Sequence, residues 1–321
     1  MISGDIFAVR DVFRKYDRFL IACHENPEGD AIGSELALAL ALRKMGKTAT
    51  LLNADPVPQN LRFLSGADSI VFAEDGSKYD VAVVVDCSLP ERIGKVSEEF
   101  LKPPVMVIID HHHTNKEMGP LALIDTEAAS AGILVYKVLV ALGIEIDHDI
   151  AENIYTTILT DTGSFRYGNS SHEAFSVAGE MVRIGVDPWA VSEQVYESQN
   201  YNRIGLLGRA LSSLETVLDG RVAAITTLLA DLEEFKAKKD DTEGFVNYPR
   251  SIMGVEAAVF FRELGSESFR VSFRSKGRID VSAVAAEFGG GGHRNAAGCT
   301  VSGTLEEVKR RVFEAIEAVL S

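Results

Sequence analysis

The chain has 321 residues, 46% of them hydrophobic and 25% charged, enough apolar sequence to form two globular cores. A formal net charge of -15 argues against long polyanions and anionic membranes as partners, because the summed field repels both. Cys23, Cys87 and Cys299 share no CxxC spacing, which excludes a zinc ribbon or disulfide framework as the organising feature and fits a reducing cytoplasm. No signal-like start and no long uncharged apolar run is found, so neither export nor membrane insertion is expected.

"RFLIACH" reads as a short buried strand, and "AIGSELALALALRKMG" follows it as an Ala- and Leu-rich helix that Gly46 terminates. "KTATLLNAD" is a second strand. "YDVAVVVDCS" and "PPVMVIIDHHH" are near-continuous Val- and Ile-rich runs, as expected for parallel strands buried on both faces. Helical periodicity resumes over 129–142, ending at Gly143, and over 147–160. The first half therefore predicts an α/β domain with a parallel sheet and helices on both faces. Residues 188–215 read as a polar helical connector. "GRVAAITTLL", "GVEAAVFFRE" and "SFRVSFRSK" then read as strands, and "TLEEVKRRVFEAIEAVL" as an amphipathic helix. The predicted organisation is a catalytic domain over 1–187, a connector over 188–215 and a smaller α+β domain over 216–321.

The first strand runs into His24, Glu28 and Asp30, the third into Asp86, and the fourth into Asp110, His111 and His112. In an open parallel sheet the carboxyl ends of the strands share one edge, where ligands bind. Asp161, in "TTILTDTGSF", follows a helix that can return to that edge. Each piece alone has an ordinary explanation, as a solvated loop or a turn cap. Together they form a set of oxygen and imidazole donors suited to manganese, magnesium or a similar divalent ion. Two such ions sharing one carboxylate activate a water and neutralise a phosphoryl group.

"HENPEGDAIGS", "VVVDCS", "IIDHHHTN" and "ILTDTGSF" resemble, in order and approximate spacing, the four motifs of the DHH phosphoesterase superfamily, and "FRSKGRIDVSAVAAEFGGGGHRNAAGC" resembles the glycine-rich segment of the DHH-associated C-terminal domain. The pairing is most similar to the bifunctional oligoribonuclease and pAp phosphatase family. That resemblance implies that His24, Glu28 and Asp86 hold one ion, and that Asp30, Asp86, His111 and Asp161 hold the other. It further implies that His112 faces the scissile phosphate, with Asp110 orienting the neighbouring imidazole. Glu28 departs from the pattern, which normally has aspartate there. His113 lies outside the motif, and His148 and His172 match none; all three are expected at the surface.

Residues 262–294 carry six basic side chains against four acidic ones, a balance of +2 inside an acidic protein. Arg274, Ser275, Gly290, Gly291, Gly292, His293 and Arg294 are the expected substrate-binding set, in which amides and cations cradle phosphates and a terminal nucleotide. The glycines also have an ordinary reading as a tight turn. The predicted function is hydrolysis of short oligonucleotides to mononucleotides, of pAp to AMP and phosphate, or of both. Two divalent ions are the expected cofactors, manganese before magnesium or cobalt. The expected partners are short oligonucleotides or small nucleotide phosphates, with no membrane and no long nucleic acid, and a homodimer is compatible with the sequence. Competing readings are a cyclic or linear dinucleotide phosphodiesterase, a single-strand DNA exonuclease and an inorganic pyrophosphatase, the last of which carries a different C-terminal domain. A nucleic-acid-binding module of the kind in alanyl-tRNA synthetases is disfavoured by the intact acid set.

Overall fold

A computed structural model of the chain describes residues 2–73, 76–87, 90–112 and 121–320, with the backbone alone described at 2–3, 90–91 and 293. By its internal contacts the chain divides into two compact units, Met1–Ser198 and Gln199–Ser321. The boundary falls within the stretch read as a connector.

The first unit runs β1 (Ile2–Ser3), α1 (Ile6–Lys15), β2 (Arg18–Ala22), α2 (Gly29–Lys44), β3 (Thr48–Leu52), β4 (Ile70–Val71), β5 (Val81–Val85), α3 (Ser97–Phe100), β6 (Val105–Asp110), β7 (Leu121–Asp125), α4 (Ala131–Leu142), α5 (His148–Asp161), α6 (His172–Ile184) and α7 (Pro188–Ser192). Its sheet has the order β1-β7-β6-β5-β2-β3-β4. Six strands are parallel, and only β1 pairs antiparallel, at the β7 edge. From β2 the chain steps outward through β3 and β4, then returns to lay β5 on the other side of β2. That reversal is the switch point at which α/β sheets bind ligands.

The unalternating apolar runs have a direct cause. Phe19, Ile21, Val83, Val85, Val107 and Ile109 pack on one face against helices α1, α2, α4 and α5. Leu20, Ala22, Ala82 and Val84 pack on the other against Ile93, Val96 and Phe100, so this face is covered by a short turn and α3. Helices α2 and α5 meet closely because Gly33 has no side chain: a Cβ there would lie 2.7 Å from the Asn153 carbonyl oxygen. That contact brings the N-terminal turn of α2 beside the C-terminal end of α5.

The second unit contains α8 (Tyr201–Ser212), β8 (Glu215–Val217), β9 (Val222–Thr227), α9 (Leu229–Glu234), α10 (Asn247–Arg250), β10 (Ala257–Gly265), β11 (Ser268–Ser275), α11 (Val281–Glu287), β12 (Gly291–His293), β13 (Ala296–Ser302) and α12 (Leu305–Leu320). The sheet order is β12-β13-β11-β10-β9-β8. Only β9 and β10 are parallel, the rest being antiparallel. Phe261, Val271 and Phe273 face α11 and α12. Ile225, Ala258 and Phe260 face the opposite way, against Leu206 of α8 and Phe245.

Candidate metal centre

Each acid in the first unit is delivered by a specific local structure. Strand β2 ends at Ala22, and the turn to α2 carries His24 and Glu28, with Asp30 in the first helical turn. The β5 strand ends one residue before Asp86, whose φ of 51° is left-handed, a conformation that Asp tolerates better than most residues. Its amide donates to the Ile109 carbonyl at 2.9 Å, so the turn stays tied to β6. The β6 strand ends at Asp110, followed at once by His111 and His112. Asp161 is the last residue of α5.

These side chains converge. His24 Nε2 lies 3.5 Å from Asp86 Oδ2 and 3.9 Å from Glu28 Oε1. His111 Nε2 lies 3.4 Å from Asp30 Oδ2, 3.5 Å from Asp86 Oδ1 and 3.9 Å from Asp161 Oδ2. Two groups that could each hold a metal ion result, His24 with Glu28 and Asp86, and Asp30 with His111 and Asp161, each with donor atoms within 4.8 Å of one another. Asp86 faces a histidine of each. A third grouping joins Asp86, His111 and His112.

Surrounding groups fix the ligands. The Nδ1–H of His24 donates to the Glu25 carbonyl at 2.8 Å and that of His111 to the Ala128 carbonyl at 3.1 Å, which turns both Nε2 atoms toward the acids. Asp30 accepts the amides of Ala131 and Gly132, at 2.8 and 3.1 Å, from the N-terminus of α4, and the Ser34 hydroxyl at 3.1 Å. Asn169 Nδ2 donates to the Asp161 carboxylate, the Asp161 carbonyl and the Ala129 carbonyl, each at 3.1 Å. Asn169 and the α4 amides carry no motif. Only Ser130 ahead of an apolar helix marked that N-terminus, while nothing in the sequence pointed to Asn169.

The electrostatics describe a site that wants cations. Burial pushes Asp161 up to about 7, with Glu28 and Asp86 adding to it against His111. Burial and then Asp86 push Asp30 well above the carboxylate range. Burial works against Asp86 as well, but the His111 and His24 contacts win and hold its carboxyl well below that range. Burial disfavours charge on His24, yet Asp86 and Glu28 override it and raise the imidazole to about 10. Asp86 Oδ1 is buried without a hydrogen-bond partner. Protons thus stand where positive charge is needed, and a donor set of carboxylates and neutral imidazoles without thiolates fits two divalent ions.

Asp110 and His112 sit at the edge of this cluster, Asp110 fully buried. Their side chains are joined through Asp110 Oδ1 and His112 Nδ1, 2.7 Å apart. His113 lies outside the described residues. His148 and His172, at the starts of α5 and α6, are exposed.

In the second unit, Arg274 and Ser275 end β11, with Arg274 opposite Ala296 of β13 and Ala296 in turn opposite His293 of β12. The side chain of His293 lies outside the described ones. Arg274 Nη1 donates to its neighbour's carbonyl, that of Phe273, at 2.9 Å, and the Ser275 hydroxyl accepts the Gly277 amide at 2.9 Å. Arg294 follows β12, its Nη2 3.5 Å from the Gly277 carbonyl. Gly291 and Gly292 lie in β12. Gly290 lies so close to the Gly298 carbonyl that a Cβ would meet it at 2.3 Å, and Gly292 has a φ of 146°. A structural need alone thus accounts for glycine at both positions, close approach at Gly290 and a positive φ at Gly292.

Residues 18–160 match the DHH family, N-terminal domain, and residues 221–321 match the DHHA1 domain. The chain is 34% identical over 307 residues to a protein of Thermus thermophilus named bifunctional oligoribonuclease and PAP phosphatase NrnA, covering 94% of this chain and 90% of that one. A Bacillus subtilis protein of the same name is 27% identical, over 89% and 90% of the two chains. Among solved structures, an exopolyphosphatase-related protein from Bacteroides fragilis superposes with a TM-score of 0.92 at 30% identity, covering 98% of this chain and 95% of that one.

Proposed function

The chain belongs to the DHH phosphoesterase family, in the group of the bifunctional oligoribonucleases and PAP phosphatases, and from that premise we propose that it hydrolyses short oligonucleotides to mononucleotides and pAp to AMP and phosphate, using manganese. The observation that carries this reading is the pair of ligand groups at the switch point, with Asp86 reaching a histidine of each.

In this reading His24, Glu28 and Asp86 would hold one ion, and Asp30, Asp86, His111 and Asp161 the other; when bound, the ions would supply a water of lowered pKa and neutralise charge on the phosphoryl group. The protein's own part is to keep these donors in place and to handle protons. His111 and His24 are turned to offer Nε2 by the carbonyls bonded to Nδ1. His112 gives its Nδ1–H to Asp110, which leaves Nε2 to hold or release a proton at an oxygen of the scissile phosphate. Attack of water on phosphorus breaks the P–O bond to the leaving group, and the leaving oxygen takes up a proton.

Arg274, Ser275, residues 290–292, His293 and Arg294 grip the nucleotide end of the substrate in the same reading. The domain assignment is likewise proposed as 1–187 catalytic, 188–215 connecting and 216–321 substrate-binding. Manganese is favoured by the mixture of carboxylates and imidazoles. No helix among the described residues is long and apolar enough to cross a membrane. Cys23, Cys87 and Cys299 are buried as thiols outside any disulfide among the described residues, which supports a cytoplasmic setting. The reading includes a homodimer, which sedimentation of the purified chain checks.

The deciding experiment measures phosphate and mononucleotide release from pAp, dinucleotides, five-mers, twenty-mers, cyclic dinucleotides and pyrophosphate, with manganese, magnesium or cobalt added to chelator-stripped protein. Release from pAp and the short oligomers, fastest with manganese, is expected. Turnover confined to pyrophosphate or to cyclic dinucleotides, or undiminished in chelator, overturns the proposal.

A further inference from the structure

Strand β11 alternates between two environments. Phe269, Val271 and Phe273 enter the core beneath α11 and α12, so Arg270, Ser272 and Arg274 project from the opposite face. Over β9 and β10 that opposite face is covered by α8 and Phe245, against which Ile225, Ala258 and Phe260 pack. Over β11 and β13 it is open: Arg270 and Thr300 are exposed, and Ser272 and Gly298 are half-buried.

At the border between the covered and open halves, Arg262 of β10 stands directly opposite Arg270 of β11. Like charges in directly opposed strand positions repel. Neither guanidinium has a hydrogen bond or ion pair among the described residues. Arg262 is half-buried, and its pKa is lowered first by burial and then by Arg270, with Asp240 offsetting part of this from a distance. Two cations, one partly desolvated, thus stand at paired positions of neighbouring strands without a matching ion pair among the described residues.

The next position along the strands shows where an anion fits. Ser272 is opposite Gly298 of β13, and Gly298 is opposite Gly291 of β12. A Cβ at 298 would lie 2.9 Å from Arg270 Nη2 and 3.3 Å from its Cζ, so the guanidinium reaches across to β13, on the side of β11 away from Arg262, and lies over the bare α-carbon level with Ser272. The floor beside it is two glycines and a serine. Arg270 and Arg274 are four residues apart, about 13 Å along a strand, a reach of roughly two to four nucleotides of a single strand.

We propose that Arg262 and Arg270 form a second phosphate clamp on the open half of this sheet. It takes a backbone phosphate of the oligonucleotide that lies beyond the one held near Arg274. The inference rests on the oligonucleotide reading above and deepens it: pAp and dinucleotides are too short to fill both positions, so the clamp favours longer oligomers. The planar forks of the two arginines suit a phosphate's oxygens, and the bound anion removes their mutual repulsion.

The test compares kcat/KM for pAp, a ribodinucleotide and a ribo-five-mer in wild type, Arg270→Ala, Arg270→Lys and Gly298→Ala. In Arg270→Ala the ratio of five-mer to dinucleotide kcat/KM is expected to fall about tenfold, as for loss of a charged hydrogen bond. In Gly298→Ala it falls as well, because the charge remains but is displaced, whereas Arg270→Lys retains part of it. The logarithmic salt dependence of the five-mer KM becomes shallower by about 0.7 in Arg270→Ala, one phosphate contact's worth. The melting temperature of Arg270→Ala is expected at or above that of wild type, since a repulsion is removed. An unchanged length ratio or salt slope overturns the clamp, as does a lowered melting temperature with the ratio intact. Should wild type cut none of the substrates, the phosphoesterase reading falls instead. The clamp is then decided by fluorescence anisotropy of a labelled five-mer, where equal affinity in wild type and Arg270→Ala rejects it.

Discussion

One oxygen of Asp110 holds two consecutive histidines: Oδ1 accepts the Nδ1–H of His112 at 2.7 Å and the backbone amide of His111 at 2.8 Å. The carboxylate is fully buried, so the end of β6 and the His112 ring move as one piece. Replacing Asp110 with Ala frees the ring. The expected outcome is a drop in kcat of about 10- to 100-fold, with the half-saturating manganese concentration changed only a few-fold and with partial rescue by Asp110→Asn. Manganese titrations of steady-state rates check this, and an equal loss in both alanine and asparagine variants with an altered metal requirement counts against it.

Asp86 and Asp161 are proposed as ligands rather than core members. Asp86→Asn keeps a residue type that accepts the left-handed backbone at φ 51°, so the chain folds while turnover falls by about a thousandfold or more. Asp161→Asn is expected to act the same way and to remove a carboxyl that burial holds near pH 7 without metal. Circular dichroism together with phosphate release separates loss of function from loss of fold.

Glu28 stands where the family pattern has aspartate, and its side chain is 46% exposed, 3.9 Å from His24. Glu28→Asp is expected to retain activity and to shift the manganese concentration for half-maximal rate, since the ligand type stays and the reach shortens. Inactivity of Glu28→Ala with an unchanged metal requirement argues that this carboxylate does not bind the ion.

Glu35 on α2 is fully buried, its Oε1 accepting Asn53 Nδ2 at 2.7 Å. Burial raises its pKa to about 8, against the lowering contacts of Asn53 and Cys23. The folded protein therefore keeps this proton over a range in which the unfolded chain has lost it. Below the unfolded value near 4.5 Glu35 makes no pH-dependent difference; between there and about 8 stability falls as pH rises; above that the penalty, on the order of a few kcal/mol, is constant. Glu35→Gln removes this slope. Melting temperatures in chelator from pH 5 to 9 should show the variant gaining on wild type up to about pH 8, and parallel curves reject the argument.

Gly33 lets α2 approach α5, because a Cβ there would lie 2.7 Å from a backbone oxygen that cannot rotate away. Gly33→Ala is expected to cost about 1–3 kcal/mol of stability and to weaken metal binding by parting Asp30 from Asp161. Denaturant titration and manganese titration of the same variant report the two effects.

Much of this arrangement was legible in the sequence because burial on both sheet faces writes itself as uninterrupted Val and Ile runs. Strands β2, β5 and β6 could be read that way, and their last residues carried the acids. Strand β7, five residues long and only partly buried, left no such mark, nor did the two-residue strands β1 and β4. β8, three residues at the end of the stretch read as helical, was hidden for the same reason. Contacts made by amides, such as Asn169 to Asp161 or the start of α4 to Asp30, depend on which loops meet and have no residue pattern of their own. The opposition of Arg262 and Arg270 depends on strand register, which charge counting over 262–294 does not reveal.

The proposed ligand side chains are spread from His24 to Asp161, on four separate stretches brought together by the order of the strands. No shorter piece of chain holds the set. At ribosomal rates of about 5–20 residues per second, roughly 7 to 27 seconds pass between synthesis of the first of these residues and the last. During that interval the emerging chain carries carboxylates and imidazoles but no hydrolytic centre. On the proposed reading the hydrolytic centre becomes competent only after α5 has emerged and docked on α2, so metal capture would await the fold of the first unit.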